Sequence, residues 1–129
     1  MATRRAARGG GRPLAAALFG LLVLPGRAHA QDSVPPPAAL AELETNPYRG
    51  DTAMIAAGAK LYRVCAVCHG ERGAGGARGP ELSRTRLSDR DFFRVVMHGR
   101  TGTLMPAWRD KLSPGEVWQI HAFLVAACN

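Results

Sequence analysis

The segment YRVCAVCHGERG, Tyr62 to Gly73, sets Cys65 and Cys68 three positions apart with His69 directly behind them. Three chemistries use thiols at this spacing. A redox dithiol needs a strand ahead of it and a βαβ setting. A structural zinc site needs four ligands at compact spacing. A c-type haem attachment uses Cys-x-x-Cys-His: two thiols on one helical turn each add to a vinyl group, and the histidine is held under the iron. No strand pattern precedes Cys65. His98, His121 and Cys128 make no second paired half for zinc, and adjacent Cys68 and His69 point in different directions. Covalent haem uses Cys65, Cys68 and His69 without remainder. One motif implies one haem.

The rest of the chain sets the context. It has 129 residues, so one domain is expected. Residues 1–30 read as a secretory signal peptide that is removed: an arginine-rich start, an apolar run from Leu14 to Leu24, and Ala28-His29-Ala30 as the cleavage site. The apolar run is shorter than the roughly 20 residues that span a bilayer. No cysteine follows it, so neither a lipid nor a membrane anchor is expected after cleavage. The full chain carries +7, but the leader holds five of the arginines and none of the acids. The remainder, with 12 basic and 10 acidic groups, is close to +2. The high pI is therefore mostly a targeting signal, and nucleic acid is not an expected partner. A small exported domain buries a modest core and commonly needs a staple. Three cysteines cannot all pair, which points to a cofactor in that role.

The positioning elements are helices. Residues 31–50 read as an extended, proline-rich lead-in, with one or two helical turns possible over Ala38 to Glu44 and a turn at Asn46-Pro47. A helix is expected from Asp51 or Thr52, with Ile55, Gly58, Leu61 and Tyr62 on one face. Gly58 costs about 1 kcal/mol there, which suggests a close crossing by another helix. The glycine-rich stretch Gly70 to Leu87 is a loop; it lacks the strand and the spacing of a phosphate-binding turn. Ser88 caps a second helix with Phe92, Val95 and Val96 inward, ended by Gly99. Ser113, Pro114 and Glu116 open a terminal helix with Val117, Ile120, Phe123 and Leu124 inward. No segment alternates as a strand. The fold class is all-α: three main helices with long loops, in a domain spanning 51–129.

Cys65-Ala66-Val67-Cys68-His69 at the end of a first helix, the glycine-rich loop, Gly79-Pro80, Leu104-Met105-Pro106 and a terminal helix together resemble a class I cytochrome c, over roughly Ala53 to Ala126. The resemblance implies that Met105 is the second axial ligand, a soft neutral thioether that favours ferrous iron and raises the potential. His98 is the main rival for that position and His121 a distant second; both are expected to be partly exposed surface histidines. The resemblance further implies that the Pro80 carbonyl accepts from His69 and that Gly58 and Tyr62 face Ile120 and Phe123. Leu82 and Leu104 are expected to line the haem pocket, and Trp108 either reaches a propionate or packs the loop. Met54 and Met97 are read as packing, and Cys128 as an inert terminal thiol that could alternatively link two chains.

With histidine and methionine both bound, no coordination site is open. That implies electron transfer rather than catalysis. NPYRGD (Asn46 to Asp51), VVMHGR and LMPAW are similar to the small periplasmic cytochromes that accept electrons from PQQ-dependent alcohol dehydrogenases. The resemblance implies a soluble, monomeric periplasmic carrier with a quinoprotein dehydrogenase as donor and a terminal oxidase or another cytochrome as acceptor. Two alternatives stand beside it: a haem sensor with an open sixth site, and a fixed electron-transfer subunit of a larger complex.

Overall fold

The computed structural model describes residues 35–128. The leader reading of 1–30 and the start of the lead-in lie outside the described residues. Five α-helices follow in order: α1 (Pro37–Leu40), α2 (Thr52–Leu61), α3 (Arg63–His69), α4 (Asp89–His98) and α5 (Pro114–Cys128), with a 3-10 turn at Glu71–Gly73. There is no strand among the described residues.

Local chemistry sets the helix starts. Asp51 Oδ1 accepts from the amides of Ala53 and Met54 at 2.9 and 3.1 Å. Ser88 Oγ accepts from the Asp91 amide at 3.1 Å. Ser113 and Glu116 close a reciprocal box: the Ser113 amide donates to Glu116 Oε2 at 2.8 Å, and the Glu116 amide to Ser113 Oγ at 3.3 Å. Each side chain satisfies amides that have no partner within the first helical turn.

The expected first helix is two segments. It breaks at Tyr62, whose carbonyl accepts from both Cys65 and Ala66. Long-range contacts hold Tyr62 at the joint. Its hydroxyl donates to the Gly70 carbonyl at 3.0 Å, and its ring lies 5.4 Å from that of Phe123.

The core centres on α5. Val117, Trp118 and Ile120 are almost fully buried. α2 crosses α5 so closely that a Cβ on Gly58 would stand 2.0 Å from the Gln119 carbonyl oxygen and 3.0 Å from the Ile120 nitrogen. Met54 and Met97 pack against the core as expected.

Two expectations about the periphery need correction. The lead-in carries the helical turn expected near Ala38, as α1, but it is packed onto the domain: Leu40, Asn46 and Tyr48 are buried. Trp118 Nε1 donates to the Leu40 carbonyl at 2.7 Å and draws that segment onto α5. His121 is not a surface residue but 6% exposed. Asn46 reaches it: the amide nitrogen donates to the Trp118 carbonyl and to His121 Nδ1, both at 2.9 Å, while the amide oxygen accepts from the Tyr48 N–H at 2.8 Å. Asp89 completes the cluster. It accepts from the Asn46 backbone N–H and, in two-pronged fashion, from Arg49, and its Oδ1 lies 3.7 Å from His121 Nε2. Burial opposes the charge on Asp89, but Arg49, the Asn46 amide and His121 together hold its carboxyl below the usual value. Burial lowers the His121 pKa more than Asp89 raises it, so the value falls below 6.5.

Two outcomes follow. Gly58→Ala must separate two helix backbones and is expected to cost about 3 kcal/mol, at the upper end of overpacking effects, measured as a shift in the urea midpoint. Because the folded state binds the His121 proton less tightly than the unfolded state, the His121 contribution to stability is complete above about pH 6.5 and is lost as pH falls below it. Urea titrations at successively lower pH should show this decline, and His121→Gln should reduce it.

Candidate functional site

α3 presents Cys65, Cys68 and His69 to a cavity of about 350 Å³. This lies within the range of about 300–1,000 Å³ usual for small-molecule and cofactor sites. α4 supplies Phe92, Val95 and Val96, α5 supplies Ile120, and two loops close the remainder with Pro80, Leu82, Leu104, Met105 and Trp108. Every residue singled out from the sequence for this site therefore lines one cavity. His98 does not. It is exposed at the end of α4 and lines a separate shallow pocket. His121 also stays outside, behind Phe92.

The ring of His69 is held in a defined place. Its Nδ1 lies 2.9 Å from the Pro80 carbonyl oxygen, so Nδ1 carries the proton and Nε2 keeps its lone pair. The loop that brings Pro80 there is folded by its own backbone: the Gly75 amide donates to His69 O at 2.7 Å, Gly76 to Gly79 O at 3.0 Å, and Leu82 to Gly73 O at 2.7 Å. Gly79 passes so near the imidazole that a Cβ would stand 2.9 Å from Nδ1. The sequence marked Gly79 only as part of a motif; its steric reason is visible in the fold alone.

The Met105 segment is tied to the end of α4. The Arg100 amide donates to Met105 O at 3.1 Å, the Trp108 amide to Val96 O at 3.0 Å, and the Met105 amide to Thr103 Oγ1 at 3.2 Å. Gly99, at φ +72°, ends α4 where a Cβ would meet Ala107 N at 2.7 Å and Met105 O at 2.8 Å. Leu104 sits at the mouth, 81% exposed, rather than deep in the pocket. Trp108 is half-buried, with the Lys111 ammonium 5.4 Å from its ring centroid.

These residues do not suit the rival chemistries. Burial, with Cys68 second, pushes the Cys65 thiol up to about 11, whereas a working dithiol needs a lowered thiol pKa. Among the described residues no three of His, Cys, Asp and Glu converge to hold a metal ion. The donor set is one oriented imidazole, one thioether and two thiols around mostly apolar walls, which fits a large, flat, apolar prosthetic group with a soft metal at its centre.

Residues 53–124 match the family model described as cytochrome c oxidase, cbb3-type, subunit III. The chain belongs to this cytochrome c family. Family membership implies haem c as the cofactor. The chain is also 39% identical over 77 residues to the quinohemoprotein alcohol dehydrogenase ADH-IIG of Pseudomonas putida, covering 58% of this chain but 11% of that protein. It is 38% identical over 60 residues to cytochrome c55X of Stutzerimonas stutzeri, covering 44% of this chain and 52% of that one. This cytochrome therefore spans about a tenth and about half of the lengths of these relatives. Among solved structures, cytochrome cL of Methylophaga aminisulfidivorans MPT is similar in fold: TM-score 0.61, 24% identity, covering 69% of this chain and 63% of that chain.

Sequence reasoning missed two parts of the site. Phe92, Val95, Val96 and Ile120 were read as inward-facing; Phe92, Val96 and Ile120 are core residues that also form cavity wall, and Val95 is a half-buried wall residue. Thr103 was not singled out, and its hydroxyl orders the Met105 turn. The steric gap at Gly79 gives a direct test. Gly79→Ala should push the His69 ring off Pro80, cost about 1–3 kcal/mol in a denaturant titration and alter the visible spectrum of the haem-loaded protein. An unchanged midpoint and spectrum would show that the ring does not depend on that gap.

Proposed function

We propose that the chain is a soluble periplasmic one-electron carrier holding a single covalent haem c. The observation that carries this reading is the convergence of Cys65, Cys68, His69 and Met105 on one apolar cavity, with His69 Nδ1 engaged by Pro80. Haem, when bound, supplies the one-electron couple. Cys65 and Cys68 anchor it through thioether bonds. His69 Nε2 and the Met105 thioether would be the protein's two ligands to its iron. Pro80 orients the imidazole, Leu82 and Trp108 wall the cavity, and Leu104 stands at its mouth. With both ligands supplied by the protein, the site would carry electrons rather than bind a substrate. A partner docks briefly at the cavity mouth, as suits a transient redox encounter.

The donor in this reading is a PQQ-dependent alcohol dehydrogenase. The likeness to a stretch of ADH-IIG and the motifs around NPYRGD support it. The acceptor is a terminal oxidase or another cytochrome. The leader pattern of 1–30 supports export to the periplasm, and Cys128, which is exposed, serves no part of the site. A fixed subunit of a larger complex is the second reading, favoured by the oxidase-subunit description of the matching family. A stable copurifying partner would support that reading; a free monomer supports the carrier.

Oxidised and reduced spectra of the mature protein provide the test. Met105→Ala should abolish the methionine–iron signature, lower the midpoint potential and let carbon monoxide bind the reduced protein at once. The unsubstituted protein should bind carbon monoxide slowly or not at all; immediate binding would favour a sensor with an open site. An unchanged spectrum in Met105→Ala would overturn Met105 as a ligand. If a reduced quinoprotein alcohol dehydrogenase fails to reduce the haem, the donor assignment falls while the carrier reading stands.

A further inference from the structure

His121 is a buried titratable side chain that the haem site does not use, yet it stands one ring behind the cavity wall. Its ring centroid is 4.6 Å from that of Phe92, and Phe92 lines the cavity, as does the preceding residue, Ile120. A charge on His121 would act on the cavity through protein rather than through water, where screening is weak.

Geometry fixes its protonation. Asn46 Oδ1 accepts from the Tyr48 N–H, so Asn46 Nδ2 is the atom that faces both the Trp118 carbonyl and His121 Nδ1. An amide nitrogen can only donate. His121 Nδ1 must therefore hold a lone pair, and the ring proton sits on Nε2, 3.7 Å from Asp89 Oδ1. The charged groups acting on the ring are Asp89 from α4 and Arg49 from the connection before α2. α5 contributes the neutral edge of Trp118. Asp89 favours an imidazolium; burial, Arg49 and the Asn46 donor oppose it.

We propose that His121 is a proton site coupled to the electron of the haem pocket, binding its proton more tightly in the reduced protein, and that Asn46 sets the pH at which it does so. This rests on the electron-carrier reading. One electron arriving from a redox partner lowers the charge of the pocket by one. One proton from solvent hydronium raises the charge behind Phe92 by one. The imidazole becomes imidazolium through a new N–H bond at Nδ1, and the Asn46 hydrogen bond to that atom is given up.

The test is the midpoint potential of the haem-loaded protein, followed by spectroelectrochemistry across acid and neutral pH. The potential should be flat at neutral pH and rise as pH falls below the ordinary histidine value of 6.5. A tenfold difference in proton affinity between the two oxidation states gives a total rise of about 59 mV. His121→Gln should flatten the curve. Asn46→Ala, which frees Nδ1, should move the inflection to higher pH. Should His121→Gln fail to fold, an NMR titration of the His121 ring in the unsubstituted protein replaces it, with higher proton affinity expected in the ferrous state. An identical curve in His121→Gln, or equal ring titrations in both oxidation states, overturns the proposal. Absence of a reversible one-electron couple overturns the carrier reading itself. A reversible couple with a flat curve overturns only the proton site.

Discussion

The backbone contact between Gly58 and the Gln119–Ile120 peptide is the constraint from which the remaining geometry follows. With a Cβ position 2.0 Å from a carbonyl oxygen, no side chain can occupy residue 58. The intrinsic cost of glycine in a helix, about 1 kcal/mol, is offset by the close packing it permits. One turn later the crossing places Tyr62 against Phe123. Tyr62 bends the chain into α3, and α3 delivers Cys65, Cys68 and His69 to a cavity whose floor is Ile120, one residue from the crossing itself. The distance from helix contact to chemistry is therefore short: about three helical turns separate Gly58 from His69.

The second half of the site is irregular backbone made rigid by its ends. Gly73 to Leu82 and Arg100 to Trp108 have no helix of their own. Each is pinned by amide–carbonyl bonds to a helix end or to itself, including Gly75 to His69 and Trp108 to Val96. A loop needs such pinning to hold a donor atom, because fixing each residue of free chain costs about 1–2 kcal/mol of conformational entropy. Glycine at positions 70, 75 and 99 supplies the positive φ that these paths require.

What was legible in the sequence follows from the range of each interaction. The caps at Asp51, Ser88 and Ser113–Glu116 involve neighbours two or three positions apart, so residue type and spacing reveal them. Gly58 was legible for the opposite reason: it violates helix propensity, and such a violation points to a tertiary cause. Cys-x-x-Cys-His and Gly79-Pro80 carried the site as motifs. The buried position of His121 was not legible, because it depends on Asn46, 75 residues away, and on Asp89. The packing of the lead-in depends likewise on Trp118 reaching Leu40 across 78 positions. The helix face read from Val117, Ile120, Phe123 and Leu124 omitted Trp118, which is buried on the other side of α5 by the lead-in.

α5 is thus buried on two sides by different means. Behind it, Leu40, Tyr48 and Trp118 are apolar, and the polar groups among them are matched: Asn46 uses its amide oxygen and both amide hydrogens, and Asp89 is paired with Arg49. In front of it, Ile120, Phe92, Val96 and Leu82 face the cavity. Apolar walls gain dispersion energy only where atoms touch them. A domain this small cannot spare that gain, since its fraction of buried surface is already low. The front wall is therefore the part of the core that a bound prosthetic group would complete. The rear cluster needs no such partner. It keeps α4 and α5 in register and supports Phe92 from behind, so that the wall facing the cofactor is set by protein alone.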